Sequence, residues 1–100
     1  MNIVAVTACP TGIAHTYMAA EKLEKTAKKL GHTIKVETQG AMGISNELTS
    51  DEIAAAEVAI LAADIALEQA ERFDSIRKIR VSVQEALKNP EAIFTQCTKA

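Results

Sequence analysis

The stretch Ile3-Val4-Ala5-Val6-Thr7-Ala8-Cys9-Pro10-Thr11-Gly12-Ile13-Ala14-His15-Thr16 passes from unbroken apolar residues, through a proline and glycine turn, into a helical pattern. An apolar run without alternation predicts a strand over residues 3–7 covered on both faces, as at the centre of a parallel sheet. A helix that starts directly after such a strand leaves backbone N–H groups unpaired in its first turn, where the helix dipole is positive. Cys9 stands at that junction. The same donors and field stabilise a thiolate or cradle phosphate oxygens, so the turn reads as an anion-binding nucleophile. The competing reading is a buried structural cysteine beside a turn.

Outward from this unit, Ala20, Leu23, Ala27 and Leu30 recur at helical spacing and predict a helix over residues 15–30, stopped by Gly31. Glu21 with Lys25 and Glu24 with Lys28 are opposite charges four apart in the favourable order, which marks a solvated face rather than a ligand site. Ile34 and Val36 alternate with Lys35 and Glu37, so a second strand is expected, less buried than the first and nearer an edge. Gln39-Gly40-Ala41-Met42-Gly43 reads as a loop. Thr49 ahead of Glu52 is a capping box opening a short alanine-rich helix, and residues 58–63 form another continuously apolar strand with Asp64 at its exit. Residues 66–70 predict a short helix, residues 76–81 a fourth strand, and Ser82 with Glu85 a second cap. After Pro90 the tail forms a final short helix or packs irregularly, with Ile93 and Phe94 as core anchors and Cys97 as a structural thiol.

Helices and strands alternating in this order specify an α/β domain with a small parallel sheet, whose right-handed crossovers cover both faces. Loops at the carboxyl ends of such strands gather at a topological switch point, which makes the Cys9 turn, Gln39-Gly40 and Asp64 expected neighbours. With 48% apolar residues in 100, one core is expected. A net charge of −2 and 3% aromatic content lack the signature of a general nucleic-acid binder. No apolar stretch reaches the length of a membrane span and no basic targeting region precedes the first strand, so a cytoplasmic location is the default expectation. Both cysteines are expected to be reduced.

Val4-Ala5-Val6-Thr7-Ala8-Cys9-Pro10-Thr11-Gly12-Ile13-Ala14-His15-Thr16-Tyr17-Met18-Ala19-Ala20, with Lys35-Val36-Glu37-Thr38-Gln39-Gly40 at the second strand exit, resembles the fructose-type EIIB domain of the bacterial phosphoenolpyruvate-dependent sugar phosphotransferase system. The resemblance covers most of the chain and identifies residues 1–100 as one type-2 EIIB domain. It implies a Rossmann-like three-layer sandwich with a four-stranded parallel sheet in the order 2-1-3-4. It implies a carrier that accepts phosphate from the phosphohistidine of an EIIA-type donor and passes it to fructose or a related sugar held by the membrane domain EIIC. Cys9 matches the phosphorylated cysteine, and S-phosphocysteine is the intermediate. No metal or other cofactor and no nucleic-acid partner is implied, and association with the inner face of the membrane would run through EIIC.

On this reading the Cys9 thiolate attacks phosphorus while backbone N–H groups of residues 11–15 stabilise the equatorial oxygens. The phosphate-binding set is Pro10, Thr11, Gly12, Ile13, Ala14, His15 and Thr16. Gly12 permits close backbone approach, and Pro10 shapes the turn without adding a donor. The Thr11 and Thr16 hydroxyls either donate to phosphate or cap the helix. His15 either donates to phosphate or helps select the partner, or is simply an exposed first-turn residue. Gln39 and Gly40 either border the phosphothiol or make a simple turn. Asp64 would repel a phosphoanion, so it rather caps a helix, orders the mouth or meets a basic partner. Arg72 is a mouth residue or a solvated helix-end charge, and Met18 and Met42 are packing or interface residues.

Two other classes compete. A low-molecular-weight phosphatase-like enzyme shares a cysteine loop before a helix, but its loop requires an arginine six positions after the cysteine, where this chain has His15. Neutral histidine cannot supply the bidentate fork. A phosphorylatable regulatory domain would keep the thiol and lack transfer to sugar.

Overall fold

The computed structural model describes residues 1–9, 13–40 and 43–98. In chain order the elements are β1 (Asn2–Ala8), α1 (Ile13–Lys29), β2 (Thr33–Gly40), β3 (Gly43–Ser45), α2 (Ser50–Ala55), β4 (Val58–Ala63), a 3₁₀ turn (Ala70–Phe73), β5 (Arg77–Val81), α3 (Val83–Lys88) and α4 (Pro90–Thr98). The continuously apolar segments become β1 and β4, which lie side by side in the middle of the sheet. Alternate side chains of each enter opposite cores. Ile3, Ala5, Val58, Ile60 and Ala62 face α1, α3 and α4 with Leu23, Ala27, Phe94 and Cys97. Val4, Val6, Ala59 and Leu61 face α2 and the 3₁₀ turn with Ile53 and Phe73. Burial on both faces is why these strands carry no polar alternation.

The sheet has five strands in the order β3-β2-β1-β4-β5. The expected four-stranded, all-parallel sheet in the order 2-1-3-4 is therefore corrected. β3 joins β2 antiparallel, with Thr38 opposite Ser45 and Gly40 opposite Gly43, whereas the other neighbouring pairs are parallel. A strand of three residues that starts on a glycine at φ +93° shows no alternation to read. With β3 outside it, β2 is not the sheet edge, and Val36, Glu37, Thr38 and Gln39 are all buried. Only the part of the expected 39–43 loop at Ala41 and Met42 lies outside both strands, and those two residues are outside the described ones.

Local signals shape the helices. Thr49 Oγ1 accepts from Glu52 N at 3.1 Å while Thr49 N donates to Glu52 Oε1 at 2.8 Å, closing the capping box of α2. Ser82 Oγ accepts from Glu85 N at 3.1 Å at the start of α3. α1 ends where Gly31 takes φ +82°, with Gly31 N donating to Lys28 O and His32 N to Ala27 O. A side chain at that φ would be strained, which explains the glycine. The short helix expected over residues 66–70 is displaced: the chain turns irregularly there and coils only from Ala70 to Phe73. α4 is regular, with Ile93, Phe94 and Cys97 buried.

Candidate functional site

Ala8, the last residue of β1, is in register with Gln39 on β2 and Ala63 on β4. This alignment brings three strand exits to one end of the sheet. Cys9 follows Ala8 there and is 8% exposed. It lines a shallow cavity of about 270 Å³ together with Gln39, Gly40, Gly43, Ile65, Ala66 and Glu68. α1 opens at Ile13, close behind the thiol in sequence, so the positive end of a long helix belongs to the same end of the sheet.

The expected site residues separate into several groups. Cys9, Gln39 and Gly40 share the cavity. Pro10, Thr11 and Gly12 lie outside the described residues, and Ile13 and Ala14 are described only as the first turn of α1. His15 is exposed on that turn, and Thr16 is buried with its carbonyl accepting from Thr7 Oγ1 at 3.0 Å. Asp64 does not line the thiol's cavity: its carboxylate accepts from Val83 N at 3.3 Å at the start of α3, and its own N–H donates to Ala8 O at 3.1 Å. Asp64 thus ties the exit of β4 to β1 and α3. Among the described residues no group of three or more His, Cys, Asp or Glu side chains is placed to hold a metal ion, and no helix is long and apolar enough to cross a membrane.

A polar network behind the cavity was not legible as such. Glu37, on the face of β2 turned to α2 and the 3₁₀ turn, is fully buried. Arg72 Nη1 donates to its Oε1 at 3.0 Å and Arg72 Nη2 to its Oε2 at 2.9 Å, a fork-to-carboxylate pair. Leu48 N donates to Oε1 at 2.9 Å and Gln39 Nε2 to Oε2 at 2.8 Å, so both oxygens accept two bonds each. Burial pushes the Glu37 carboxyl up, but the bonds from Arg72, Gln39 and Leu48 together outweigh it and hold the carboxyl below its ordinary value near 4.5. Arg72 is therefore not a solvated helix-end charge but the partner of a buried carboxylate. Polar residues on β2 had suggested a wet face; Lys35, which pairs with Glu52 at 2.7 Å, and Glu37 instead meet the cover formed around α2. The available signal was Arg72, a complementary charge in the connection between β4 and β5.

The second thiol, Cys97, is fully buried under α4, and burial raises its pKa above the ordinary 9.0. The carbonyls of Gln96 and Cys97 accept from Arg77 Nη2 and Nη1 at 2.8 and 2.9 Å.

Cys9 is thus a reduced thiol beside a helix start, bordering a cavity at the carboxyl end of parallel strands in an α/β domain. The family model described as PTS system, Lactose/Cellobiose specific IIB subunit matches residues 4–96. The chain is 50% identical over 95 residues to the PTS system fructose-like EIIB component 2 of Escherichia coli K12, covering 95% of this chain and 90% of that protein. It is 51% identical to the 2-O-alpha-mannosyl-D-glycerate-specific EIIABC component of the same organism, over 95% of this chain and 14% of that longer protein. A crystal structure of a domain from the fructose-specific IIABC component of Borrelia burgdorferi superposes with a TM-score of 0.90 at 52% identity, covering 95% of this chain and 90% of that one. The chain belongs to the PTS EIIB family. It is a phosphotransferase component, a phosphoryl carrier that works through a cysteine with EIIA and EIIC components.

Proposed function

We propose that Cys9 is the residue that carries the phosphate, taking it from an EIIA-type phosphohistidine and delivering it to fructose or a related sugar held by EIIC. The observation that carries this reading is the cavity shared by Cys9, Gln39 and Gly40 at the carboxyl end of the parallel strands. The thiolate sulfur attacks phosphorus, and the bond from phosphorus to the imidazole nitrogen breaks as the S–P bond forms. In the second transfer a sugar hydroxyl attacks phosphorus, its proton passes to water, the S–P bond breaks, and the thiolate returns. Backbone N–H groups of residues 11–15 stabilise the oxygens in both steps, with Thr16 and His15 following on the first turn of α1.

Delivery to EIIC implies that the domain works at the inner face of the membrane. The sugar is named by the transporter: the chain matches fructose-like and mannosylglycerate-specific relatives at nearly equal identity, which fits a module that hands on phosphate without selecting the sugar. The test is a chase of the phosphorylated protein with vesicles bearing candidate EIIC domains and a panel of sugars. Sugar phosphate formed only with Cys9 intact is the expected result. Prompt release of inorganic phosphate without sugar or EIIC would instead identify a hydrolase, and a stable phosphoprotein that no competent transporter discharges would identify a regulatory domain.

A further inference from the structure

One wall of the cavity is Ile65, Ala66 and Glu68, part of an irregular segment, residues 64–69, that is pinned at several points. Asp64 is tied to Ala8 and Val83. Both backbone groups of Glu68 are held by one side chain: Gln39 Oε1 accepts from Glu68 N at 2.9 Å, and Gln39 Nε2 donates to Glu68 O at 3.1 Å. The carbonyl of Gln69 accepts from Arg72 Nε at 2.9 Å. Gln69 itself sits at φ +57°, a left-handed conformation that a non-glycine residue keeps only where its surroundings enforce it.

The amide of Gln39 can make this clamp in only one orientation. A carboxylate accepts and never donates, so Nε2 must face Glu37 and Oε1 must face the N–H of Glu68. Arg72 keeps Glu37 ionised and, with Leu48 N, fills its other acceptor sites, and so keeps the amide from turning over. A buried ion pair is weak support for stability, because desolvation offsets much of its attraction and a packed apolar pair often does as well. Its value here is direction. It fixes which way a 4% exposed amide beside the thiol presents its donor and its acceptor.

Resting on the assignment of Cys9 as acceptor, we propose that Gln39, oriented by the Glu37–Arg72 pair, is a positioning residue that sets the 65–68 wall beside the Cys9 thiol for phosphoryl transfer. It touches the wall and lines the cavity, and it takes no part in bond making. A reacting geometry displaced by about an ångström costs on the order of a hundredfold in rate, so a partly loosened wall is expected to cost about tenfold.

The test is Gln39→Met, which keeps the length of the side chain and removes the clamp. Glu68 is exposed, so its released backbone groups turn to water and the chain stays folded. Two readouts are taken on the whole chain. With a phosphohistidine donor domain, the single-turnover rate at saturating donor falls about tenfold, while the half-saturating concentration changes by less than about threefold. With iodoacetamide under native conditions, alkylation of Cys9 accelerates about tenfold while Cys97 stays unmodified. Global loosening would expose both thiols, so the selectivity separates positioning from mere stability. Arg72→Lys keeps the charge without the fork and repeats both readouts should Gln39→Met fail to fold, with the same direction expected. Unchanged Cys9 alkylation and unchanged saturated rate, or parallel exposure of both cysteines, would overturn the proposal. Should the unaltered protein take no phosphate on Cys9, that assignment fails by itself, and the alkylation readout still decides whether the clamp holds the wall.

Discussion

The two ends of the sheet each hold a reduced thiol buried in the same apolar core, and the two sites are built differently. At the carboxyl end, Cys9 borders a cavity walled by an irregular segment and backed by the Glu37, Gln39 and Arg72 network. Toward the amino end, near the start of β5, Cys97 is sealed between α4 and the sheet, and burial has made its ionisation harder. Their exposures, 8% and 0%, hardly distinguish them. What distinguishes them is that three strand exits and the start of α1 converge beside Cys9.

The largest effect on this contrast comes from the network. Arg72→Ala leaves Glu37 buried without its cation and is expected to destabilise the fold by about 3–5 kcal/mol, read from the denaturant midpoint. A loss near zero would mean that the carboxyl end is not held by this pair. Acid titration addresses the same point. The folded-state pKa of Glu37 lies below its unfolded value near 4.5, so its contribution is complete above that pH and is lost as pH falls through the folded pKa. The stability gap between the wild type and Glu37→Gln should therefore narrow on acidification below about 4.5, and a constant gap would contradict an ionised Glu37.

Smaller effects belong to the other end. Cys97→Ala removes a buried sulfur and should cost about 1–2 kcal/mol while leaving phosphate uptake intact. Because the folded-state pKa of Cys97 is raised above 9.0, its neutral thiol contributes stability that is complete below that pH and is lost as pH rises through the folded pKa; the alanine variant should lack that alkaline decline. The smallest effect is expected for Glu21→Gln, since the Glu21 and Lys25 pair at 2.8 Å is solvent-exposed on both sides. A measurable change in melting temperature there would mean that surface pairs matter more in this fold than the buried fork suggests.

Elements with strong local chemistry were legible in the chain. The unbroken apolar runs predicted β1 and β4, Thr49 with Glu52 predicted the start of α2, and Gly31 the end of α1. Of the neighbours expected at the strand exits, Cys9, Gln39 and Gly40 share a cavity, whereas Asp64 does not line it and is tied to Val83 and Ala8. β3 was not legible because three residues carry no period. Glu37 was misread for a different reason: alternation reports which side chains share a face, and only tertiary structure decides whether that face is wet. Here α2 and the 3₁₀ turn cover it, and the arginine that makes such burial tolerable is far away in sequence.

The assignment of chemistry to one thiol over the other is decided by mass. Unaltered protein, Cys9→Ser and Cys97→Ser are each incubated with a phosphorylated EIIA-type donor, with folding checked in parallel, and weighed intact under conditions that preserve a thiophosphate. A serine hydroxyl holds its proton far more tightly than a thiol at neutral pH, so it does not replace the thiolate as nucleophile. The mass gain of one phosphoryl group should appear in the unaltered protein and in Cys97→Ser and be absent from Cys9→Ser. Retention in Cys9→Ser with loss in Cys97→Ser would contradict the assignment and move the reaction to the sealed end of the molecule.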